Sequence, residues 1–155
     1  MPEHNIHSDF ADFLRALNDH GVEYLVIGGH AVGFHGFPRN TGDMDILIKP
    51  SLENAERLAR AVEAFGAGAL GYTAQDYLSN DFIQFGVVPV RIDVTTLFEG
   101  VPREKLWQDA VPGRLAGVPV KFPSKECLLA NKRRTGRDKD LRDLEMLDRG
   151  PERPA

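Results

Sequence analysis

The fold of this chain is set by residues 24–50, YLVIGGHAVGFHGFPRNTGDMDILIKP. The segment opens with a run of apolar β-formers, which predicts a short buried strand ending at the paired glycines Gly28 and Gly29. We expect a short helix to begin at these glycines, because the chain must cross over to reach the next strand. DMDILIK predicts that second strand, and Pro50 ends it.

Two aspartates lie one residue apart on this second predicted strand. Because successive side chains of a strand point to opposite faces, Asp43 and Asp45 leave one face, while Met44 and Ile46 pack on the other. Like charges on one face repel, and burying them costs free energy unless something positive lies between them. The pair therefore needs an explanation from the rest of the chain.

The flanking segments alternate between helix and strand. Apolar residues at helical spacing predict a helix from an N-cap at Ser8 to Gly21, and Ser51 is expected to cap a second amphipathic helix. Residues 81–96 predict two strands around a turn near 86–89. Strands alternating with helices, one pair in a hairpin, predict an α/β (α+β) domain with a short mixed sheet flanked by helices.

The C-terminal part predicts one more strand and two helices. VPVKFP, residues 118–123, predicts a short edge strand bounded by prolines. Ser124 is expected to cap a helix that runs to about residue 133. A last helix is predicted from about 138 to 147, with Leu141, Leu144 and Leu147 facing inward.

Bulk properties indicate the class of protein. A chain of 155 residues fits one domain, residues 1–155, with an ordered core of about 8–149. The formal charge of −4 argues against a generally basic nucleic-acid binder, although it allows a local basic patch. Cys127 is the only cysteine, and no signal pattern or membrane-length apolar run is present. We therefore expect a cytoplasmic protein without a membrane partner.

A third carboxylate, Asp93, lies on a later predicted strand. If that strand neighbours the one bearing Asp43 and Asp45, three carboxylates converge on one patch. Such a cluster cannot stay ionised at neutral pH without cations, since close carboxylates raise one another's pKa. Mg²⁺ is a hard cation that carboxylates and phosphates commonly hold, with Mn²⁺ as an alternative. Two such ions, typically ~3.5–4 Å apart, can support phosphoryl or nucleotidyl transfer.

The glycines favour a phosphate ligand. Without Cβ atoms, Gly28 and Gly29 allow the backbone to approach a triphosphate closely, and amides at a helix start are natural phosphate donors. Arg39 and Thr41 lie between the glycines and the acids, where they would contact a phosphate or brace the loop. Alone, the glycine pair is more often a tight turn, and Asp93 could simply pair with Arg91 or a neighbouring lysine.

Residues 28–46, GGHAVGFHGFPRNTGDMDI, resemble the signature of the DNA polymerase β-type nucleotidyltransferase superfamily. That signature is a glycine followed by Gly or Ser, a spacer, then Asp-x-Asp or Asp-x-Glu on a strand, with a third carboxylate from a later strand. The resemblance implies a nucleotidyltransferase-like fold, with Gly28 and Gly29 as the glycine pair. It implies Asp43, Asp45 and Asp93 as the catalytic metal ligands. The R-x-T-x-D-x-D form is similar to a small bacterial branch that includes abortive-infection-type nucleotidyltransferase toxins.

Residues 124–147, SKECLLANKRRTGRDKDLRDLEML, resemble the closing helices of that branch. The resemblance implies nucleotide-side roles for five charged positions: Lys132, Arg137, Lys139, Asp140 and Asp143. Gly29 stands where many members have serine, so no hydroxyl reaches a phosphate from there. The chain contains no appended domain of the kind that larger members use to hold their acceptor, which leaves the acceptor open.

Residues 121–142 are basic within an acidic chain, with eight lysines and arginines against three acids. We interpret this segment as a positively charged surface facing a triphosphate, with Lys132 and Arg137 as first choices for phosphate contact. An RNA acceptor is a further candidate for contact with the same surface. The alternative is a solvated helix face whose acids pair with their neighbours.

The leading prediction is a Mg²⁺-dependent nucleotidyltransferase that moves an NMP from an NTP, for instance ATP, to a hydroxyl of RNA (tRNA among the options) or protein. The branch resemblance implies the toxin of a toxin–antitoxin or phage-defence pair, with a separate antitoxin chain as partner. The alternative is a catalytically inactive nucleotide-binding partner or regulatory module of the same fold. A phosphohydrolase with Asp43 as nucleophile ranks lower, because Leu47 stands where that class has Thr or Val.

Overall fold

The computed structural model describes residues 6–36, 43–66, 71–79, 81–87 and 90–149. These ranges contain seven helices and six strands, and the last two elements are helices. In chain order they are α1 (Ile6–Asp19), β1 (Tyr24–Ile27), α2 (Gly29–Phe34), β2 (Asp43–Ile48), α3 (Leu52–Phe65), α4 (Ala74–Ser79), β3 (Phe82–Val87), β4 (Val90–Thr95), α5 (Arg103–Gln108), β5 (Val111–Leu115), β6 (Val118–Phe122), α6 (Lys125–Thr135) and α7 (Asp138–Arg149).

A mixed four-stranded sheet forms the centre of the fold, with strand order β1-β2-β4-β3. β2 and β4 are parallel, whereas β1 pairs antiparallel with β2 and β3 pairs antiparallel with β4. β5 and β6 form a separate antiparallel hairpin. The predicted mixed α+β architecture is confirmed at this level.

The sheet separates two hydrophobic clusters. Met44, Ile46 and Ile48 of β2 point to one face, where they belong to the large core that includes buried residues of α1 and α3. Leu47 points to the other face and packs in a smaller cluster with Leu106 of α5 and two further buried residues, Leu25 and Cys127. Because side chains alternate, Asp43 and Asp45 share this second face with Leu47.

Several predicted boundaries are confirmed. Ser51 caps α3 by accepting a hydrogen bond from the amide of Asn54, and Ser124 caps α6 by accepting from the amide of Cys127. The N-cap predicted at Ser8 is wrong, because α1 already begins at Ile6. The apolar stripe of a helix predicts that the helix exists, but it does not determine which residue starts it.

Two strand predictions need correction. α2 begins at Gly29 as predicted, yet β1 and β2 are antiparallel, so α2 reverses the chain and is no parallel crossover. VPVKFP forms β6 as predicted, but it pairs with β5 in its own hairpin. The sequence reasoning missed β5, because Pro112 and Gly113 occur within it. The two-residue turn, Ala116 and Gly117, has positive φ at both positions, as type I′ hairpins require.

The prediction of three inward leucines on α7 is only partly right. Leu147 is fully buried, Leu144 is half-buried, and Leu141 is 50% exposed. Asp140 and Asp143 occupy the buried positions in its place. Two short helices, α4 and α5, were not predicted at all. No helix in the described ranges is long and apolar enough to cross a membrane.

Candidate functional site

The parallel pairing of β2 with β4 brings the three predicted aspartates together. In this register Asp43 lies opposite Arg91, and Asp45 lies opposite Asp93. All four side chains leave the same face of the sheet. Asp43 and Asp45 lie two positions apart on β2, Arg91 and Asp93 lie two positions apart on β4, and residues paired across the two strands face the same side. We call the three carboxylates on this face the acid face. The expectation that the strand of Asp93 neighbours that of Asp43 is confirmed.

Charge crowding on the acid face acts on Asp45. Burial, the charge of Asp93 and a hydrogen bond to Asp93, and the charge of Asp43 together raise the pKa of Asp45 to about 7. The charge of Lys139, on α7, acts in the opposite direction. Without a cation, Asp45 therefore holds a proton over part of the neutral range.

Two side chains that were not predicted as site residues also hold the acid face. Arg91 Nη2 donates a short hydrogen bond to Asp43, and Arg91 Nε lies 3.9 Å from Asp93 Oδ1. Gln84 on β3 donates to Asp93 Oδ1 at 2.8 Å. The strand period alone places Arg91 on the face of Asp93. The pairing of Arg91 with Asp43 depends on the register between β2 and β4, which the sequence does not show.

The glycine pair lies directly beside Asp45. Gly28 follows β1 with φ 70° and ψ −147°, a conformation that is essentially restricted to glycine. A Cβ atom at Gly28 would lie 2.0 Å from Asp45 Oδ2. The absence of a side chain at this position therefore lets the backbone at the start of α2 approach the carboxylate. Gly29 is the first residue of α2, and Arg39 and Thr41 lie outside the described residues.

Lys132, predicted as a phosphate contact, lies in a buried ion network instead of on an open surface. Its side chain is 7% exposed, and its Nζ lies 3.0 Å from Asp143 Oδ2 and 3.5 Å from Asp140 Oδ1. Asp140 also accepts hydrogen bonds of 2.6 Å from both Thr135 and Arg137. Burial opposes ionisation of Asp140, but these hydrogen bonds and the charge of Lys132 hold its pKa below the usual range. We call these five side chains the α6–α7 ion network.

The start of α7 brings positive charge towards the acid face. The hydrogen bond to Asp140 raises the pKa of Arg137, and the charge of Asp45 contributes to that increase. Lys139 in turn acts on Asp45. Arg137 and Lys139 are exposed, whereas Lys132 and Asp140 are buried behind them. Asp140 thus pairs with basic neighbours, as the alternative interpretation of this segment predicts. The same segment also places the positive charge of Lys139 where it acts on Asp45.

The chemistry of this donor set fits a hard divalent cation. Three carboxylates on one face offer only oxygen ligands, and Asp45 carries a raised pKa that a cation would relieve. Among the described residues, however, no three His, Cys, Asp or Glu side chains stand in an arrangement ready to hold a metal. Arg91 pairs with Asp43, while Asp45 and Asp93 lie opposite each other on the two strands.

No protein-family model matches the chain, and no curated protein matches it. Its chemistry is therefore inferred from three arranged features. These are the acid face, the glycine corner beside Asp45 and the positive charge at the start of α7.

Proposed function

We propose that this chain is a Mg²⁺-dependent nucleotidyltransferase with a polymerase β-like nucleotidyltransferase fold. The observation that carries the proposal is the parallel register of β2 and β4, which aligns Asp43 and Asp45 with Asp93 on one face. The glycine corner that approaches Asp45 supports it, because a triphosphate bound there would place its phosphorus atoms near the carboxylates. Asp43, Asp45 and Asp93 would hold Mg²⁺, or Mn²⁺ in its place.

The proposed reaction transfers an NMP from an NTP to a hydroxyl. The acceptor oxygen bonds to the α-phosphorus, the bond from that phosphorus to the β-phosphate oxygen breaks, and pyrophosphate leaves. Asp93 accepts the hydroxyl proton, with Asp45 beside it already sharing a hydrogen bond. Bound Mg²⁺ would supply charge neutralisation for the attacking and leaving oxygens.

The remaining residues have two roles in this proposal: some contact the triphosphate, and others hold α7 in place. Gly28, Gly29 and, by the family resemblance, Arg39 and Thr41 are assigned to the triphosphate. Arg137 and Lys139 add positive charge from α7, which favours an anionic ligand beside Asp45. We assign Lys132 and Asp140 to the support of α7, because both are buried and bound to each other. The prediction from the sequence that Lys132 contacts a phosphate stays a prediction.

The biological setting rests on the branch resemblance. It favours a cytoplasmic toxin of a toxin–antitoxin or phage-defence pair, with RNA, including tRNA, or a protein as acceptor and a separate antitoxin chain as partner. A second candidate, an inactive nucleotide-binding module of the same fold, has one observation in its favour. Arg91 neutralises Asp43 within the chain, as a binding module without metal would require.

Label transfer separates the two candidates. The purified protein is incubated with Mg²⁺, each α-labelled NTP and either bulk RNA or a protein lysate. We expect label on RNA or on a protein band from wild type and from Asp109→Asn, a surface control, but none from Asp45→Asn. Mg²⁺-dependent NTP binding without transfer to any acceptor would favour the binding module. Failure to bind any NTP would contradict both.

A further inference from the structure

Arg91 lies beside Asp43 and Asp93, two of the carboxylates that are proposed to hold the cation. Its Nη2 donates to Asp43, and its Nε lies 3.9 Å from Asp93. That Nε is buried, and within the described ranges it donates no hydrogen bond. The whole side chain is 32% exposed, so Arg91 is partly open to solvent. Arg91 is thus in contact with one carboxylate and close to another.

The charge balance explains why an arginine belongs there. Three carboxylates on adjacent strands repel one another, and a guanidinium beside two of them lowers that cost. The guanidinium is always protonated and cannot relieve the crowding by losing its charge. Asp93 keeps a separate hydrogen bond from Gln84, so it does not depend on Arg91 for its position. Asp43 is the carboxylate that Arg91 directly binds.

We propose that Arg91 is a resident counterion that competes with the divalent cation for Asp43. In the metal-free protein it neutralises Asp43, and it must give up this contact before Asp43 can bind a metal. Arg91 therefore sets the cation concentration that the site requires, and it keeps the acid face stable when no cation is bound. This inference rests on the proposed function, since it takes the acid face as the metal site.

Direct cation binding tests the inference without any nucleotide. Mn²⁺ is titrated into the full chain at a fixed, mildly alkaline pH, and free Mn²⁺ is followed by its electron paramagnetic resonance signal. We expect Arg91→Gln to bind Mn²⁺ about tenfold more tightly than wild type, which corresponds to about 1.4 kcal/mol. The gain should disappear in the double variant Arg91→Gln/Asp43→Asn. Without cation, Arg91→Gln should melt at a lower temperature than wild type.

The matched control is Arg57→Gln. Arg57 is 35% exposed, close to the 32% of Arg91, and pairs with Glu53 on α3, so its replacement removes an arginine–carboxylate pair away from the acid face. We expect wild-type Mn²⁺ affinity for this control. Arg91→Lys serves as a second variant if Arg91→Gln fails to fold, as judged by circular dichroism. A lysine cannot present the guanidinium fork, so about threefold tighter Mn²⁺ binding is expected.

Equal or weaker Mn²⁺ binding by the folded Arg91 variants would overturn the inference, as would no binding by any of the proteins. The outcome is independent of the label-transfer result. Transfer by wild type together with unchanged Mn²⁺ affinity in Arg91→Gln would refute the counterion role and leave the proposed function standing. Tighter Mn²⁺ binding in Arg91→Gln without any transfer would support the counterion role and refute the nucleotidyltransferase.

Discussion

Burial and the crowding of the acid face raise the pKa of Asp45. Burial comes first among the causes, followed by Asp93 and Asp43, and together they raise its pKa to about 7. A carboxyl with a raised pKa holds a proton in the folded protein that the unfolded chain releases near its ordinary pKa of about 3.8. Ionising Asp45 therefore costs folding stability.

This gives a pH prediction with a definite sign. In EDTA, the contribution of Asp45 is fully present below about pH 4 and is lost as the pH rises towards about 7. The melting temperature of Asp45→Asn should therefore rise relative to wild type across this window. Calorimetry of both proteins measures the difference between their melting temperatures at each pH. Titratable groups that both proteins share cancel from this difference. A difference in melting temperature that stays constant from pH 4 to pH 7 would contradict the raised pKa of Asp45.

Gly28 makes the second residue-level prediction. Gly28→Ala places a methyl group against Asp45 Oδ2 and also strains the backbone, so we expect a loss of about 3 kcal/mol or more. Gly21→Ala is the matched control, because Gly21 has a similar φ of 69° and an added Cβ there meets nothing within 4 Å. It should cost only about 1–2 kcal/mol.

Urea denaturation compares the two glycine variants. A larger loss in Gly28→Ala than in Gly21→Ala is expected, together with lost Mn²⁺ binding in Gly28→Ala alone. Equal losses would show that Asp45 moves aside easily, and the close approach of backbone and carboxylate would then have no consequence.

The corner between α6 and α7 is held by buried charge. Lys132 is bound by Asp140 and Asp143, and Asp140 also receives Arg137 and Thr135. The lowered pKa of Asp140 means that its stabilising contribution is present above the ordinary aspartate pKa and is lost as the pH falls through the lowered one. The ion network thus fixes the start of α7 near the acid face.

Lys132→Met tests this role of the corner. The change removes the lysine counterion of buried Asp143 and one of the two basic partners of buried Asp140, so a loss of about 3 kcal/mol is expected. The double variant Lys132→Met/Asp143→Asn should recover part of it. Lys105→Met removes an exposed pair with Asp109 and should leave the urea midpoint unchanged. If Lys132→Met and Lys105→Met unfold at the same midpoint as wild type, Lys132 is not structural.

Local patterns predict some elements of this protein and miss others for identifiable reasons. β1, β2 and α3 follow from apolar runs and a serine cap, because those signals lie within the segments themselves. β5 contains Pro112 and Gly113 and is stable only through its pairing with β6. The inward face of α7 was predicted only in part, because it carries aspartates whose partner, Lys132, lies on another helix.

The same distinction applies to the candidate site. The strand period is enough to predict that Asp43 and Asp45 share a face, and the family resemblance adds Asp93. The contact between Arg91 and Asp43 requires the β2–β4 register, and the burial of Lys132 requires the packing of α6 on α7. The first contact joins residues 48 positions apart, and the second joins side chains of two helices, so neither follows from the pattern of a single segment.

Taken as a whole, the chain is acidic but distributes its charge unevenly. The acid face lies on one side of the central sheet, with the glycine corner beside it and the basic start of α7 within electrostatic range of Asp45. A ligand that combines a divalent cation with a polyphosphate satisfies both signs of charge at once. This combination is why an NTP is the proposed substrate.

The most direct test compares ATP labelled at the α-phosphate with ATP labelled at the γ-phosphate, each with Mg²⁺ and the RNA or lysate acceptors; CTP, GTP and UTP are treated in the same way. Nucleotidyl transfer predicts acceptor label from the α-position alone, release of the γ-label as pyrophosphate, and loss of both in Asp93→Asn but not in Asp109→Asn. Acceptor or protein label from the γ-position would contradict the account, because it would mean phosphoryl transfer. The absence of pyrophosphate with every NTP and acceptor would contradict it equally.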